Sequence, residues 1–238
     1  MKLFVSTIMR DSARSVKGYA SQLKMLKESL AKLEKEPIEL VVSAYENDSI
    51  DDTVKNFKAA DFSFIDKLYF EHEVLFTKRF GSTQELERVR NLANARNKTI
   101  EIGMEDIKDC NAFVSIEIDI TYNPAEYAQL IVDAKDYDIL SGASLYRRDK
   151  KLYDKWATRR NEKDQWWDEG HLGVGVQEVY STYNSFCVYN PKPIVEGVRY
   201  GYRRGSTFDC DTAVICRNFR EAGYHKISID FEKRCSQW

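Results

Sequence analysis

The stretch Asn111–Pro124, NAFVSIEIDITYNP, decides the fold. An apolar run from Ala112 climbs toward the middle of a sheet and is expected to stay extended through Asp119, delivering two carboxylates, Glu117 and Asp119, where it stops. Residues two apart on a strand share a face, so both acids point one way while Ile116, Ile118 and Ile120 point the other. Adjacent acids repel each other and lose hydration unless a proton or a cation sits between them. The pattern predicts a divalent metal, Mn²⁺ or Mg²⁺, gripping a nucleotide diphosphate, because hard oxygen ligands suit those ions and leave positions open for phosphate oxygens.

The flanking sequence supplies the sheet. Lys2–Met9 reads as a buried first strand, and Val16, Tyr19, Ala20, Leu23, Leu26, Leu30 and Leu33 then recur at helical spacing up to Pro37. Ile38–Tyr45 has no polar alternation, the mark of a strand covered on both faces. A helix over about Ile50–Ala60, a short strand Lys67–Glu71, a helix starting at Thr83 and Glu87, and the quoted strand follow. Asn123-Pro124 opens another helix, and Tyr137–Ala143 is a further strand. This order predicts a Rossmann-like α/β domain with a mostly parallel central sheet and helices on both faces. Ligands then bind beyond the carboxyl ends of the strands, where Ser6, Glu46, Asp48, Glu117 and Asp119 all fall.

Beyond Ser144 the periodicity weakens. Residues 147–175 read as a long loop with Trp156, Trp166 and Trp167 in it, and loops of that length inside a domain usually serve function. Ser185–Tyr189 and Lys226–Phe231 read as strands and Asp211–Ala222 as a helix. No repeat, low-complexity segment or Pro/Gly-rich linker divides residues 1–238, so a single domain is expected. About 1–120 would form one half of it and about 121–238 the other, which carries the long loop.

The bulk properties narrow the classes. A formal net charge of −2 argues against wholesale coating of nucleic acid. Cys110, Cys187, Cys210, Cys216 and Cys235 form no CxxC, which points to reduced, buried thiols. No apolar run approaches a membrane span and the N-terminal run carries no cleavage site, so a cytoplasmic protein without a membrane span is the expectation.

Two more clusters carry chemistry. In Tyr45–Thr53, YENDSIDDT, some acids serve as helix caps, and Glu46 and Asp48 are placed to accept hydrogen bonds from a nucleobase or ribose. In Glu87–Asn97, ERVRNLANARN, Arg88 and Arg96 with Asn97 present paired donors suited to phosphate oxygens.

These motifs, in this order, resemble the nucleotide-sugar-dependent glycosyltransferases of the GT-A fold, and more narrowly the fungal capsule-associated α-1,3-mannosyltransferase family. The segment LYDKWATRR, with Tyr153, Asp154, Trp156 and Arg159, is similar to a tyrosine–aspartate–tryptophan–arginine segment of that family. Three positions depart from it. The metal motif begins with Glu117 instead of Asp, an asparagine–glycine step appears as Asn184-Ser185, and a cysteine–glutamate–histidine triplet as Cys210-Asp211-Thr212. His171 and His225 are the histidines left to stand in for the missing one.

The resemblance implies transfer of a hexose from GDP-mannose or a UDP-sugar to a glycan acceptor. Ser6, Glu46, Asp48, Arg88, Arg96, Asn97 and Arg159 would hold the donor, Glu117 and Asp119 the metal, and Asp154, Asp209 and Asp211 would be the catalytic carboxylates, with Asp209 or Asp211 the base of an inverting reaction or the group that orients sugar or acceptor in a retaining one. The basic cluster Arg147, Arg148, Lys150, Lys151, Arg159 and Arg160 would close over the phosphates as a lid. A catalytically inactive nucleotide-sugar or glycan-binding module is the alternative. A nucleotidyltransferase is disfavoured because STIMRDSARS after the first strand lacks the glycines of a phosphate loop.

Overall fold

The structure is a computed structural model of the chain and describes residues 1–81, 84–167 and 172–237. Strand β1 is Lys2–Met9, β2 Glu39–Asn47, β3 Lys67–Glu73, β4 Ala112–Ile116, β5 Ile120–Tyr122 and β6 Ile139–Leu145. Then come β7 Val176–Glu178, β8 Phe186–Tyr189, the hairpin strands β9 Arg203–Arg204 and β10 Thr207–Phe208, and β11 Ile227–Gln237. The helices are α1 Val16–Glu34, α2 Thr53–Ala59, α3 Leu86–Ile107, α4 Pro124–Asp133, α5 Pro191–Val195 and α6 Asp211–Glu221.

The main sheet runs β3-β2-β1-β4-β8-β6-β11-β5, with β7 also on β11. Its first four strands are parallel, β8 enters antiparallel between β4 and β6, and β11 returns parallel to β6. By paired length the sheet is mostly parallel, the α/β class expected. Alternation along the central strands divides the core. Leu3, Val5, Leu40, Val42, Val114 and Ile116 pack under α1 and α4, while Phe4, Val41 and Phe113 pack on the opposite face under α3 and α6. Helices therefore cover both faces, which is why these strands read as continuous apolar runs. Asn123 caps α4, its side chain accepting from Ala125 N–H at 3.1 Å, with Pro124 at the first helical position.

Several elements differ from the sequence reading. Strand β4 stops at Ile116, three residues before Asp119, although Glu117 N–H still donates to the Ser185 carbonyl at 2.8 Å in register with the β4–β8 pairing. The alternation persists nonetheless: Ile118 and Ile120 stay buried while Glu117 and Asp119 turn together toward the opposite side. Strands β5 and β7, the β9–β10 hairpin and α5 carry too few residues for a periodic signal. The helix expected to begin near Thr83 begins at Leu86, and Thr83 lies outside the described residues. All five cysteines are buried free thiols. Among the described residues, no helix is long and apolar enough to cross a membrane.

Candidate active site

A cavity of about 820 Å³ opens at the carboxyl ends of the parallel strands and collects residues from five separate segments. Arg88, Leu92 and Arg96 come from α3, Glu117 and Asp119 from the turn after β4, and Tyr146, Tyr153, Asp154, Lys155 and Trp156 from the chain after β6. Tyr183 and Ser185 precede β8, and Cys210, Asp211 and Thr212 open α6.

Arg96 organises the floor. Its Nε donates to Asp211 Oδ2 at 2.9 Å, one Nη to the Tyr183 hydroxyl at 2.6 Å, and the other Nη to Glu117 Oε1. The Tyr183 hydroxyl donates to the same Glu117 oxygen at 2.8 Å. Glu117 and Asp211 hold the Arg96 charge firmly in place despite its burial. One buried guanidinium thus ties α3 to the acid turn after β4 and to the start of α6.

Asp119 stands apart from this network. Among the described residues its carboxyl makes no hydrogen bond or ion pair to another side chain, and burial together with the neighbouring Glu117 charge pushes it up to about 6. Asp154 is also pushed up to about 6, chiefly by burial, with the Asn184 N–H donating to its Oδ2 at 3.0 Å and opposing the shift. Burial likewise raises Asp211, against the pull of Arg96.

The step Asn184-Ser185 supports both acids. Both residues adopt left-handed backbone, φ 54° and φ 64°, which explains why a glycine suits the second position. The Asn184 amide donates to Thr158 Oγ1 at 3.0 Å and Thr182 Oγ1 at 2.9 Å, fixing the turn from which Ser185 receives Glu117 N–H.

The remaining residues singled out in the sequence sit elsewhere. Ser6 is buried against Thr99 at 2.6 Å. Glu46 is buried, accepting from Ser49 N–H at 2.8 Å and meeting His72 with its other oxygen. Asp48 accepts from Leu75, Phe76 and Thr77 N–H and from the Thr77 hydroxyl, so it shapes the loop after β3. Asn97 is engaged at both ends by the Tyr200 backbone. Arg159 and Asp209 neutralise each other as a buried ion pair. None of these six lines the cavity. Of the basic lid cluster, Arg147, Arg148, Lys150, Lys151 and Arg160 are exposed, while Arg159 is buried. His225 is exposed just before β11, at the end of the sheet away from the cavity, and His171 lies outside the described residues. Tyr183 was missed in the sequence. Nothing but its place before Asn184 distinguishes it among 14 tyrosines.

Comparison with known proteins bears on the whole arrangement. Full-length superposition on a solved structure of residues 1–349 of TarS from S. aureus, in complex with UDP-GlcNAc, gives a TM-score of 0.58 at 13% identity and covers 59% of that chain. A longer TarS structure gives 0.60 at 12% identity, with 36% of that chain covered. This chain therefore spans about three-fifths or less of these structures, and at such identities the likeness establishes the GT-A fold alone. Comparison with curated protein sequences gave no match. The family model described as Cryptococcal mannosyltransferase 1 matches residues 2–215, and with nearly the whole chain covered, this protein belongs to that family.

Proposed function

We propose that this chain is a metal-dependent glycosyltransferase that moves a hexose from a nucleotide-diphosphate sugar to a glycan hydroxyl. The observation that carries this reading is Asp119, a partly buried carboxyl without a side-chain partner among the described residues, beside Glu117 in the 820 Å³ cavity. The family description supports mannose, and the UDP-GlcNAc bound by TarS supports a uridine donor, so GDP-mannose and UDP-sugars are the donors to compare.

The residues suit a divalent ion. Among the described residues no three His, Cys, Asp or Glu side chains converge on one point. Mg²⁺ and Mn²⁺ nonetheless bind through one or two carboxylates plus substrate phosphates and water. Asp119 would hold such an ion, with Glu117 contributing the oxygen that Arg96 and Tyr183 leave open. When bound, the ion supplies neutralisation of the negative charge that grows on the leaving diphosphate.

The chain's own residues do the rest. Arg96 holds Glu117 and Asp211 at fixed positions and prevents either from swinging away. Arg88 and Lys155 place positive charge on the cavity wall where a diphosphate needs it. Asp154, with its affinity for a proton tuned toward neutral pH, is suited to orient an acceptor hydroxyl and take up its proton.

The test is thermal shift and donor hydrolysis across GDP-mannose and UDP-sugars, with and without Mn²⁺, on the wild type and Asp119→Ala. Metal-dependent stabilisation by one nucleotide sugar, lost in Asp119→Ala, supports the reading and names the donor. Binding without hydrolysis or transfer would favour the inactive binding module. Absence of any shift with any metal would sink the proposal.

A further inference from the structure

Past the carboxylates the cavity continues into an aromatic wall. Trp156 and Trp166 line it, ring centroids 6.5 Å apart and planes tilted by 36°. Phe208, at the end of the β9–β10 hairpin, stands edge-on to Trp156 at 6.5 Å. Tyr146 and Tyr153 also line the cavity, as a T-shaped pair at 5.0 Å.

The exposure of these rings separates them from core. Trp166 is 49% exposed, Tyr146 46% and Phe208 38%, whereas the adjacent Trp167 is 2% exposed. Trp167 packs on Phe231 at 5.2 Å and lies beneath the Arg160 guanidinium, a core position. Large rings clustered at a cavity mouth and left half in water mark a surface that binds something. They are also held in place. Asp209 directly follows Phe208, and Arg159 lies three residues after Trp156, so the Arg159–Asp209 ion pair pins the tryptophan loop to the hairpin.

We propose that Trp166, backed by Trp156 and Phe208, forms with Tyr146 an acceptor subsite that stacks on the apolar C–H faces of neutral pyranose units in a glycan chain. Pyranose rings carry C–H patches on their faces and hydroxyls on their rims, so an aromatic platform recognises them without charge. The cavity's charges point the same way. Glu117, Asp119, Asp154 and Asp211 face three cations, Arg88, Arg96 and Lys155, and Arg96 is already bonded to two of those acids. Those charges are matched to one another and to the donor's diphosphate, and the aromatic rings themselves offer no cation to a uronate or phosphate on the acceptor. This inference rests on the glycosyltransferase reading and names the other substrate of the same cavity.

The test uses the full chain with the donor identified above and neutral di- to tetrasaccharides as probes, beside uronate-containing ones of equal length. Tryptophan fluorescence follows binding and transfer assays give KM for each substrate. In the wild type a neutral oligosaccharide should shift the fluorescence saturably, and the uronates should not. Trp166→Ala should raise the acceptor KM at least tenfold while the donor KM moves less than twofold, and Trp166→Phe should recover most of that loss. The donor-induced melting shift of Trp166→Ala serves as the control for folding. An equal rise in both KM values, a preference for uronates, or a wild type blind to every probe overturns the subsite. If the donor binds and is hydrolysed but Trp166→Ala matches the wild type, only this subsite fails. If no donor binds at all, the glycosyltransferase reading fails with it.

Discussion

Arg159 and Asp209 meet as a two-point ion pair in the interior, Nη1 on Oδ2 at 2.8 Å and Nη2 on Oδ1. Arg159 Nε also donates to the Trp156 carbonyl at 3.1 Å, and Asp209 accepts from Cys210 N–H at 2.8 Å. Both residues are 8% exposed or less. Removing one partner leaves an unpaired buried charge, so Arg159→Ala should cost about 3–5 kcal/mol, whereas a double Arg159→Met, Asp209→Leu change should recover much of it. Urea unfolding of the three variants decides this. Equal losses in the single and double variants would show that the pair's charges are not what matters.

Ser185 holds φ 64° while its carbonyl receives Glu117 N–H. An L-residue in that region carries about 1–2 kcal/mol of strain, and glycine there avoids it at an entropic cost of about 0.5–1 kcal/mol. Ser185→Gly should therefore leave stability level or raise it by up to about 1 kcal/mol, and Ser185→Val should lower it. A clear loss on Ser185→Gly, seen in denaturant melts, would mean that the Ser185 hydroxyl, 3.5 Å from Ser144 Oγ, outweighs the strain.

Asp154 has a folded-state pKa of about 6, above its ordinary 3.8. Between those values the folded chain holds a proton that the unfolded chain has lost. Its contribution to stability is therefore present below about pH 4, is lost as pH rises through 6, and stays lost above. A shift of about two units bounds the effect at about 3 kcal/mol. Asp154→Asn keeps a carbonyl for the Asn184 N–H and removes the charge, so it should flatten the pH 4–6 slope and be the more stable protein at pH 8. A slope unchanged in Asp154→Asn would assign the titration to another acid.

Gly142 lies in β6 where β11 breaks register between Ile229 and Arg234. A methyl group there would stand 2.4 Å from the Tyr127 hydroxyl and 2.6 Å from the Lys233 carbonyl oxygen. The backbone oxygen cannot turn aside as a side chain can. Gly142→Ala should cost roughly 1–3 kcal/mol, read as a lowered melting temperature. A variant as stable as the wild type would show that the bulge relaxes freely.

The alternation within NAFVSIEIDITYNP survives the end of its strand, since Ile116, Ile118 and Ile120 stay in the core and Glu117 and Asp119 face the cavity. Apolar periodicity placed β1, β2, α1 and α4 to within a few residues because burial repeats at the spacing of the element itself. Strands β5 and β7 and the β9–β10 hairpin have no such legibility. They are two or three residues long and exist because other strands are there to pair with.

Pairing between distant side chains was the other thing hidden. Arg96, Arg159, Glu46 and Asp209 look alike in a sequence as charged residues near strand or helix ends, available to a ligand. Arg96 is separated from Asp211 by 115 positions and Arg159 from Asp209 by 50, and neither contact has a local signal. The sequence by itself determined the layered α/β fold and the side to which the acid pair points, because both follow from short-range periodicity. Only the tertiary structure decided which charges are spent on one another and which, like Asp119, are left facing the cavity, because Coulomb partners are chosen by distance in space.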